Sequence, residues 1–265
     1  MTAVGDGSAA RTLVLEARGL HKSYTVDRSD HLAIADISLE VAKGEFVCIV
    51  GPSGAGKTTL LRCLSGLMAP SGGVVLLEGS PIVSVPPEVG IVFQDYGRSL
   101  FPWLSVARNV ALPLKVRGIP KTERTRIVGE VLSSVGLGDV AARYPWQLSG
   151  GMQQRVAIAR SLAYKPELLF MDEPFASVDA QTRFELEDLI LRVRNEFEVT
   201  VVFVTHDVDE AVYLADRVVV LSRPPATVKM VVEIPLSRPR DQLVTRADVE
   251  FAALRGSLLS LVMGH

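Results

Sequence analysis

The chain has little cysteine, few aromatic side chains and almost no net charge, and each scarcity removes a class of protein. Two cysteines occur in 265 residues, Cys48 and Cys63, both in apolar surroundings. They are expected as buried, reduced thiols, since two isolated positions build neither a disulfide framework nor a cysteine metal site. Lysine and arginine total 28 against 30 aspartates and glutamates, a formal net charge of −2. A dedicated DNA or RNA binder carries a basic excess, so nucleic acid is not an expected partner. Long apolar runs are missing too: the longest, such as residues 47–50 and 218–221, fall far below the roughly 20 residues that cross a bilayer. Residues 1–11 contain Asp6 and no apolar h-region, so a secretory leader is not expected. There is no internal repeat and no low-complexity segment. What is present is 48 % apolar residues with only 6 % aromatics, ordinary for a globular α/β protein and too apolar for disorder. The expectation is a soluble, cytosolic chain of one large domain, or one domain with a subdomain.

Periodicity supplies the organisation. Residues 13–18 and 34–41 alternate apolar and polar, the pattern of half-buried strands, with the polar stretch 27–31 read as a hairpin turn. Residues 46–50 are wholly apolar, as in a strand buried on both faces of a parallel sheet. A glycine-rich turn follows at 51–56. Leu60, Leu61, Leu64, Leu67 and Met68 then recur at helical spacing. Residues 74–77 and 89–93 are further strands. From about 95 to 164 the texture turns helical, most clearly at 126–135 and 152–163. Strands resume at 168–171, 199–204 and 217–221. Strands alternating with helices around one helical block imply a parallel-sheet core with an inserted helical subdomain. Beyond Arg223 the sequence predicts a strand pair over 228–234 and a helix over 248–262.

Three segments carry chemistry. Gly51-Pro52-Ser53-Gly54-Ala55-Gly56-Lys57-Thr58 fits the phosphate-loop pattern G-x-x-x-x-G-K-[ST], with a buried strand before it and a helix after it. Its glycines let backbone N–H groups curl round phosphate oxygens at a helix N-terminus. Lys57 then bridges the outer phosphates and the Thr58 hydroxyl ligates Mg²⁺; Thr59 is grouped with them as nucleotide-binding. The second segment is Leu168-Leu169-Phe170-Met171-Asp172-Glu173, a buried strand with two carboxylates at its C-terminal end, where open α/β sheets bind ligands. Asp172 is placed for the metal and Glu173 for the attacking water. The third is Leu148-Ser149-Gly150-Gly151-Met152-Gln153-Gln154-Arg155, in which Ser149 caps a helix and two glycines bare its first N–H groups. Taken alone it reads equally as a simple capped helix. Beside a complete phosphate loop it reads as a second phosphate-binding terminus, facing the nucleotide of another chain.

Together these segments resemble the nucleotide-binding subunits of ATP-binding cassette (ABC) transporters over about residues 13–225. In that frame the Walker A loop is 51–58, the Q-loop Phe93-Gln94, the signature 148–153, Walker B 168–172 with Glu173 next, and the H-loop Val204-Thr205-His206-Asp207. Tyr24, in Lys22-Ser23-Tyr24, matches the aromatic that stacks on adenine. The resemblance implies a RecA-like P-loop NTPase core with an antiparallel β subdomain and an inserted helical subdomain at about 95–164, followed by a C-terminal extension over 226–265. It implies ATP and Mg²⁺ as cofactors. Lys57, Gln94, Glu173 and His206 would be catalytic, with Thr58, Gln94 and Asp172 on the metal. Tyr24, Gly51 to Thr59, and Ser149, Gly150, Gly151 and Met152 would contact nucleotide. It further implies a homodimer with ATP, transmembrane permease subunits, an indirect solute-binding protein, and a peripheral position on the cytoplasmic face of the inner membrane.

Two departures refine the match. Met152 stands where the signature commonly has Gln, the form found in importers of nitrate, sulfonates and taurine. The D-loop reads Ala176-Ser177-Val178-Asp179 instead of Ser-Ala-Leu-Asp, which moves the serine hydroxyl by one position. The stretch 97–106 holds Leu100, Phe101, Pro102, Trp103 and Leu104, and is unusually apolar for a loop. It reads either as packing inside the helical subdomain or as a groove for a short helix of a membrane subunit, rimmed by Arg98 and Arg108. An importer of a small anion is the leading expectation. An exporter subunit and a non-transport cassette acting on DNA or ribosomes are the alternatives; the latter resemble chains with two cassettes or long coiled coils, absent here.

Overall fold

The computed structural model describes residues 12–26 and 29–264. Ten strands and eight α-helices fall among them. In chain order these are β1 (Leu13–Val26), β2 (Ser29–Ala42), β3 (Phe46–Val50), α1 (Lys57–Leu64), β4 (Gly72–Leu77), β5 (Ser80–Pro81), β6 (Val89–Val92), α2 (Tyr96–Ser99), α3 (Val106–Val116), α4 (Lys121–Ser134) and α5 (Gly150–Leu162). There follow β7 (Leu168–Asp172), α6 (Ala180–Phe197), β8 (Thr200–Val204), α7 (Val208–Leu214), β9 (Arg217–Leu221), β10 (Ala226–Glu233) and α8 (Val249–Met263).

The strands form a single sheet in the order β5-β4-β1-β2-β10-β9-β3-β8-β7-β6. Its two ends differ in kind. From β9 to β6 all neighbours run parallel, whereas β1 pairs antiparallel with β2 and β4. β10 joins the two halves, antiparallel to β9 and parallel to β2. The expected strand pair over 228–234 is therefore one strand, built into the sheet from Ala226 onward. Asp30 and His31, read as part of a turn, already pair with β1; Asp27, Arg28 and the leader reading of 1–11 lie outside the described residues.

The strands β3, β7, β8 and β9 bury nearly every residue, and alternate residues serve opposite faces. Val47 and Ile49 join Leu60, Leu61 and Leu64 of α1 and the inner side of the antiparallel strands. Phe46, Cys48 and Val50 join the helical layer of the other face, including Val156, Leu189, Ile190, Val212 and Leu258. Cys48 and Cys63 therefore sit in different core clusters as free, buried thiols. α2 to α5 all lie between the adjacent parallel strands β6 and β7, so the helical block enters as one insertion. α3 keeps its helix through Pro113 with Ser105 capping its start; an interior proline weakens the helical pattern, so 106–116 is not among the clearest helices of the block from sequence.

Candidate active site

The C-terminal ends of β3, β7 and β8 converge on one cavity of about 550 Å³, lined by Ser53 to Thr59, Glu173 and His206. The loop after β3 enters α1 through Gly56, whose φ of 78° is left-handed; an L side chain there would be strained, and the bare backbone serves as the cap. Lys57 is buried, and its ammonium donates to the carbonyls of Gly51 at 3.0 Å and Pro52 at 3.1 Å. Burial lowers its pKa, while Glu173 and Asp172 oppose that shift. The cation is thus stored at the loop's centre on weak neutral acceptors, which an anionic phosphate outcompetes.

One residue on, the Thr58 hydroxyl donates to Asp172 Oδ1 at 3.0 Å across the gap between α1 and β7. Burial raises the Asp172 pKa, partly offset by that hydrogen bond. The next residue, Glu173, leaves the strand at φ 42°, a region uncommon outside glycine. Its N–H is tied to Val204 O at 2.9 Å. This turn aims the carboxylate into the cavity, where it accepts a 2.9 Å hydrogen bond from His206 Nδ1. Among the described residues no group of three His, Cys, Asp or Glu could hold a metal alone. A hydroxyl beside one carboxylate is instead the hard-oxygen set that suits Mg²⁺, which takes one or two carboxylates and completes its shell with phosphates and water. The residues fit that ion.

The other expected residues fall in three places. Tyr24 of β1 is half-buried; its hydroxyl lies 3.1 Å from Thr59 Oγ1 and donates to Met68 Sδ at 3.2 Å. The Lys22 ammonium stands over one face of the ring, 5.5 Å from its centre. Gln94 is exposed two residues past β6, and does not line the phosphate cavity. The sheet order explains this, because β8 and β7 stand between β3 and β6. Ser149, Gly151 and Met152 line a separate cavity of about 360 Å³ together with Thr182 and Glu185 of α6. There Ser149 caps α5 by accepting from Met152 N at 3.3 Å. A Cβ on Gly151 would fall 2.4 Å from Thr182 Cγ2, so any larger residue there has to displace that side chain. Thr182 is held in turn by Asp179, which caps α6 through the Thr182 N–H and hydroxyl at 3.0 and 2.7 Å. Sequence reasoning missed Thr182; nothing in its own neighbourhood marks it as the neighbour of a glycine on another helix.

The apolar stretch after Gln94 divides. Leu100 is core, whereas Phe101 is 36 % and Trp103 69 % exposed, with rings 5.3 Å apart. The segment is held from beneath by buried Asn109, which accepts from Phe101 N and donates to the carbonyls of Phe101, Leu104 and Ser105. Asn109 carries no sequence signal for that role. Leu104 and Arg108 continue into a groove of about 630 Å³ between α3 and α4. The Arg98 side chain lies outside those described.

What the loop and strand ends define is the P-loop nucleotide hydrolase class. A family model described as ABC transporter matches residues 34–176. An uncharacterised ABC transporter ATP-binding protein of Methanocaldococcus jannaschii is 47 % identical over 94 % of this chain and 91 % of its own length. The nitrate import ATP-binding protein of Synechococcus elongatus is 42 % identical over 99 % of this chain and 97 % of its own. The bicarbonate transport ATP-binding protein of the same species is 43 % identical over 94 % of this chain, which spans 38 % of that longer protein. A dimeric ATP-binding cassette, solved in a post-hydrolysis state with ADP and Pi, superposes with a TM-score of 0.73 at 31 % identity, covering 83 % of this chain and 98 % of that one. The chain belongs to the ABC transporter family, as an ATP-hydrolysing cassette.

Proposed function

We propose that this chain is the ATP-hydrolysing subunit of an importer for a small anion, working as a homodimer against transmembrane permease subunits. Nitrate, a sulfonate or taurine is the solute class, supported by Met152 in the signature and by the nitrate- and bicarbonate-transporting relatives. The observation that carries the dimer is the separation of the signature cavity from the phosphate cavity. Each chain holds the two halves of a nucleotide site in different places, so Ser149, Gly150, Gly151 and Met152 complete the site of a second chain.

Phosphoryl transfer to water asks mainly for positioning and charge stabilisation. Lys57 moves from its loop carbonyls onto the outer phosphates. Thr58 and Asp172 would hold Mg²⁺, which would neutralise phosphate charge when bound, and the family resemblance adds Gln94 as a further ligand. Glu173 orients the attacking water and accepts its proton, and His206 fixes which carboxylate oxygen remains free. Gly51 to Thr59 wrap the phosphates and Tyr24 faces the base. The exposed Phe101–Trp103 pair and the adjoining groove, rimmed by Arg108, Lys115, Lys121 and Arg124, receive a short helix of the permease. Among the described residues no helix is long and apolar enough to cross a membrane, and the cassette sits peripherally on the cytoplasmic face, an indirect partner of a solute-binding protein. The cassette over 13–225, its helical subdomain at about 95–164 and an extension over 226–265, whose first strand lies in the sheet, are the working divisions.

The test is Glu173→Gln, which keeps shape and removes charge. ATP binding should persist and hydrolysis should fall by roughly 10² to 10⁴-fold, the range of a positioned acid–base group, with an ATP-bound dimer accumulating on a sizing column. A variant that stays monomeric and hydrolyses normally removes Glu173 from the reaction. In cells, uptake of nitrate, sulfonates or taurine should fail with this variant; unimpaired uptake of all three would discard the anion assignment.

A further inference from the structure

Beyond β10 the chain turns back across α6 and α7, and its charged side chains converge on α7, the helix that begins two residues after His206. Arg240 lies at the C-terminal end of α7 and donates to the carbonyls of Tyr213 at 2.5 Å, Ala215 at 2.6 Å and Val212 at 3.5 Å. Those carbonyls have no partners within a helix and carry the negative end of its dipole. Burial lowers the Arg240 pKa to about 10, so the group stays cationic at neutral pH. Arg238 adds bonds to Leu214 O at 3.4 Å and Asp216 at 2.6 Å.

Arg246 grips the side of the same helix. Its guanidinium lies 4.9 Å from the Tyr213 ring of α7 and 4.8 Å from the Phe184 ring of α6, and pairs with fully buried Glu187 at 2.6 Å. At the other end, Arg255 of α8 meets Asp209 at 2.7 Å. α7 has only seven residues, too few to hold its geometry alone. Its first turn is capped by Asp207, which also pairs with Arg183 of α6 at 3.0 Å. His206, directly before that cap, is the residue bonded to Glu173.

We infer that Arg240 and Arg246 are positioning residues for ATP hydrolysis: the C-terminal segment clamps α7 along its length and so fixes where His206 stands against Glu173. This rests on the reading of Glu173 and His206 as the hydrolytic pair. No residue of the clamp lines the phosphate cavity, so its effect belongs to turnover and not to nucleotide binding.

The experiment compares Arg240→Ala, Arg240→Lys, His206→Ala and the His206→Ala/Arg240→Ala double variant in the full chain, reading kcat, KM and the affinity for a fluorescent ATP analogue. Arg240→Ala should lower kcat about tenfold or more, as small misplacements at a reacting centre do, with KM and analogue affinity unchanged. Arg240→Lys should recover part of the loss, because one ammonium still meets the helix carbonyls. The double variant should be no slower than His206→Ala, since a group acting through another adds nothing once that other is gone. A lowered melting temperature with unchanged kcat per nucleotide-bound chain overturns the clamp, and so do additive losses in the double variant. An inactive His206→Ala beside a fully active Arg240→Ala rejects the clamp and keeps the site; an active His206→Ala rejects the site reading and the clamp with it. If Arg240→Ala does not fold, the half-exposed Arg255–Asp209 pair tests the clamp in its place. Arg255→Asp should slow turnover and Asp209→Arg in the same chain should restore it; no change in either overturns the proposal.

Discussion

The phosphate loop and the signature segment both bring glycine-rich backbone to a helix N-terminus, yet they are finished differently. At the loop, a left-handed Gly56 opens α1, and Lys57, the Thr58–Asp172 pair and the Glu173–His206 pair surround one cavity. At the signature, a serine closes its own helix cap, Gly151 lies against Thr182, and Arg155 is paired with Glu185 at 2.8 Å. The first region stores a cation and two carboxylates ready for phosphate chemistry. The second offers backbone donors and a hydroxyl without a carboxylate pair at a strand end. A helix terminus of that kind supplements a ligand held elsewhere, and the difference is what the proposed two-chain site rests on.

The largest effect should come from Lys57→Ala. It removes the only cation at the centre of the phosphate cavity among the described residues, and several phosphate charges lose their charge-assisted partner. Nucleotide binding measured by calorimetry should vanish or nearly so. ATP affinity and turnover like those of the unaltered chain would make the two regions equivalent and remove Lys57 from the phosphate site.

Placing the two halves on different chains separates their tasks. A chain altered at Lys57 keeps its signature, and a chain altered at Ser149 keeps its phosphate loop. Each alone should be nearly inactive, whereas a mixture should regain hydrolysis, because one complete composite site forms per heterodimer. Absence of complementation at every mixing ratio would mean that each chain completes its own site.

How much of this was legible beforehand follows from the physics of each element. Strands β3, β7 and β9 read closely because they are buried on both faces, which leaves an unbroken apolar run. The loop, Asp172 and Glu173 read because their chemistry needs fixed residues at fixed spacing, whereas His206 read only through the family resemblance; the structure puts the loop, Glu173 and His206 on one cavity and Asp172 against Thr58. α6 did not read, although Leu186, Leu189, Ile190 and Val193 have helical spacing, because fully buried Glu187 sits among them and blurs the apolar face. Gln94 was legible as the end of a strand, but only the sheet order shows how far that strand stands from the loop. The arginines gripping α7 were illegible, since a guanidinium bonded to distant carbonyls leaves no local pattern.

A smaller effect is expected at the surface that neither cavity includes. Trp103 is largely exposed and touches Phe101, while Leu100 carries the packing. Trp103→Ala should therefore leave the melting temperature and basal hydrolysis of the purified chain unchanged, and weaken association with the proposed permease partner by about 2 kcal/mol or more, as lost aromatic anchors do. A chain that unfolds on this change, with assembly of its soluble fraction intact, would return the segment to core packing.

The smallest effect tests the edge of the phosphate site. The Tyr24 ring is half-buried beside Thr59, with Lys22 over one face. Stacking on a base contributes about 1 to 3 kcal/mol when measured by alanine substitution, so Tyr24→Ala should weaken ATP binding within that range. The hydroxyl has a different task, because it bonds Thr59 and Met68 and ties β1 to the first turn of α1 and the segment after it. Tyr24→Phe should then keep ATP affinity and lose only about 1–3 kcal/mol of folding stability, the net contribution of two hydrogen bonds at about 0.5–1.5 kcal/mol each. Denaturant midpoints separate the two tasks from nucleotide titrations. Equal losses of affinity in the Ala and Phe variants would transfer the binding role from the ring to the hydroxyl, and the adenine would then sit against Thr59 instead of the ring face.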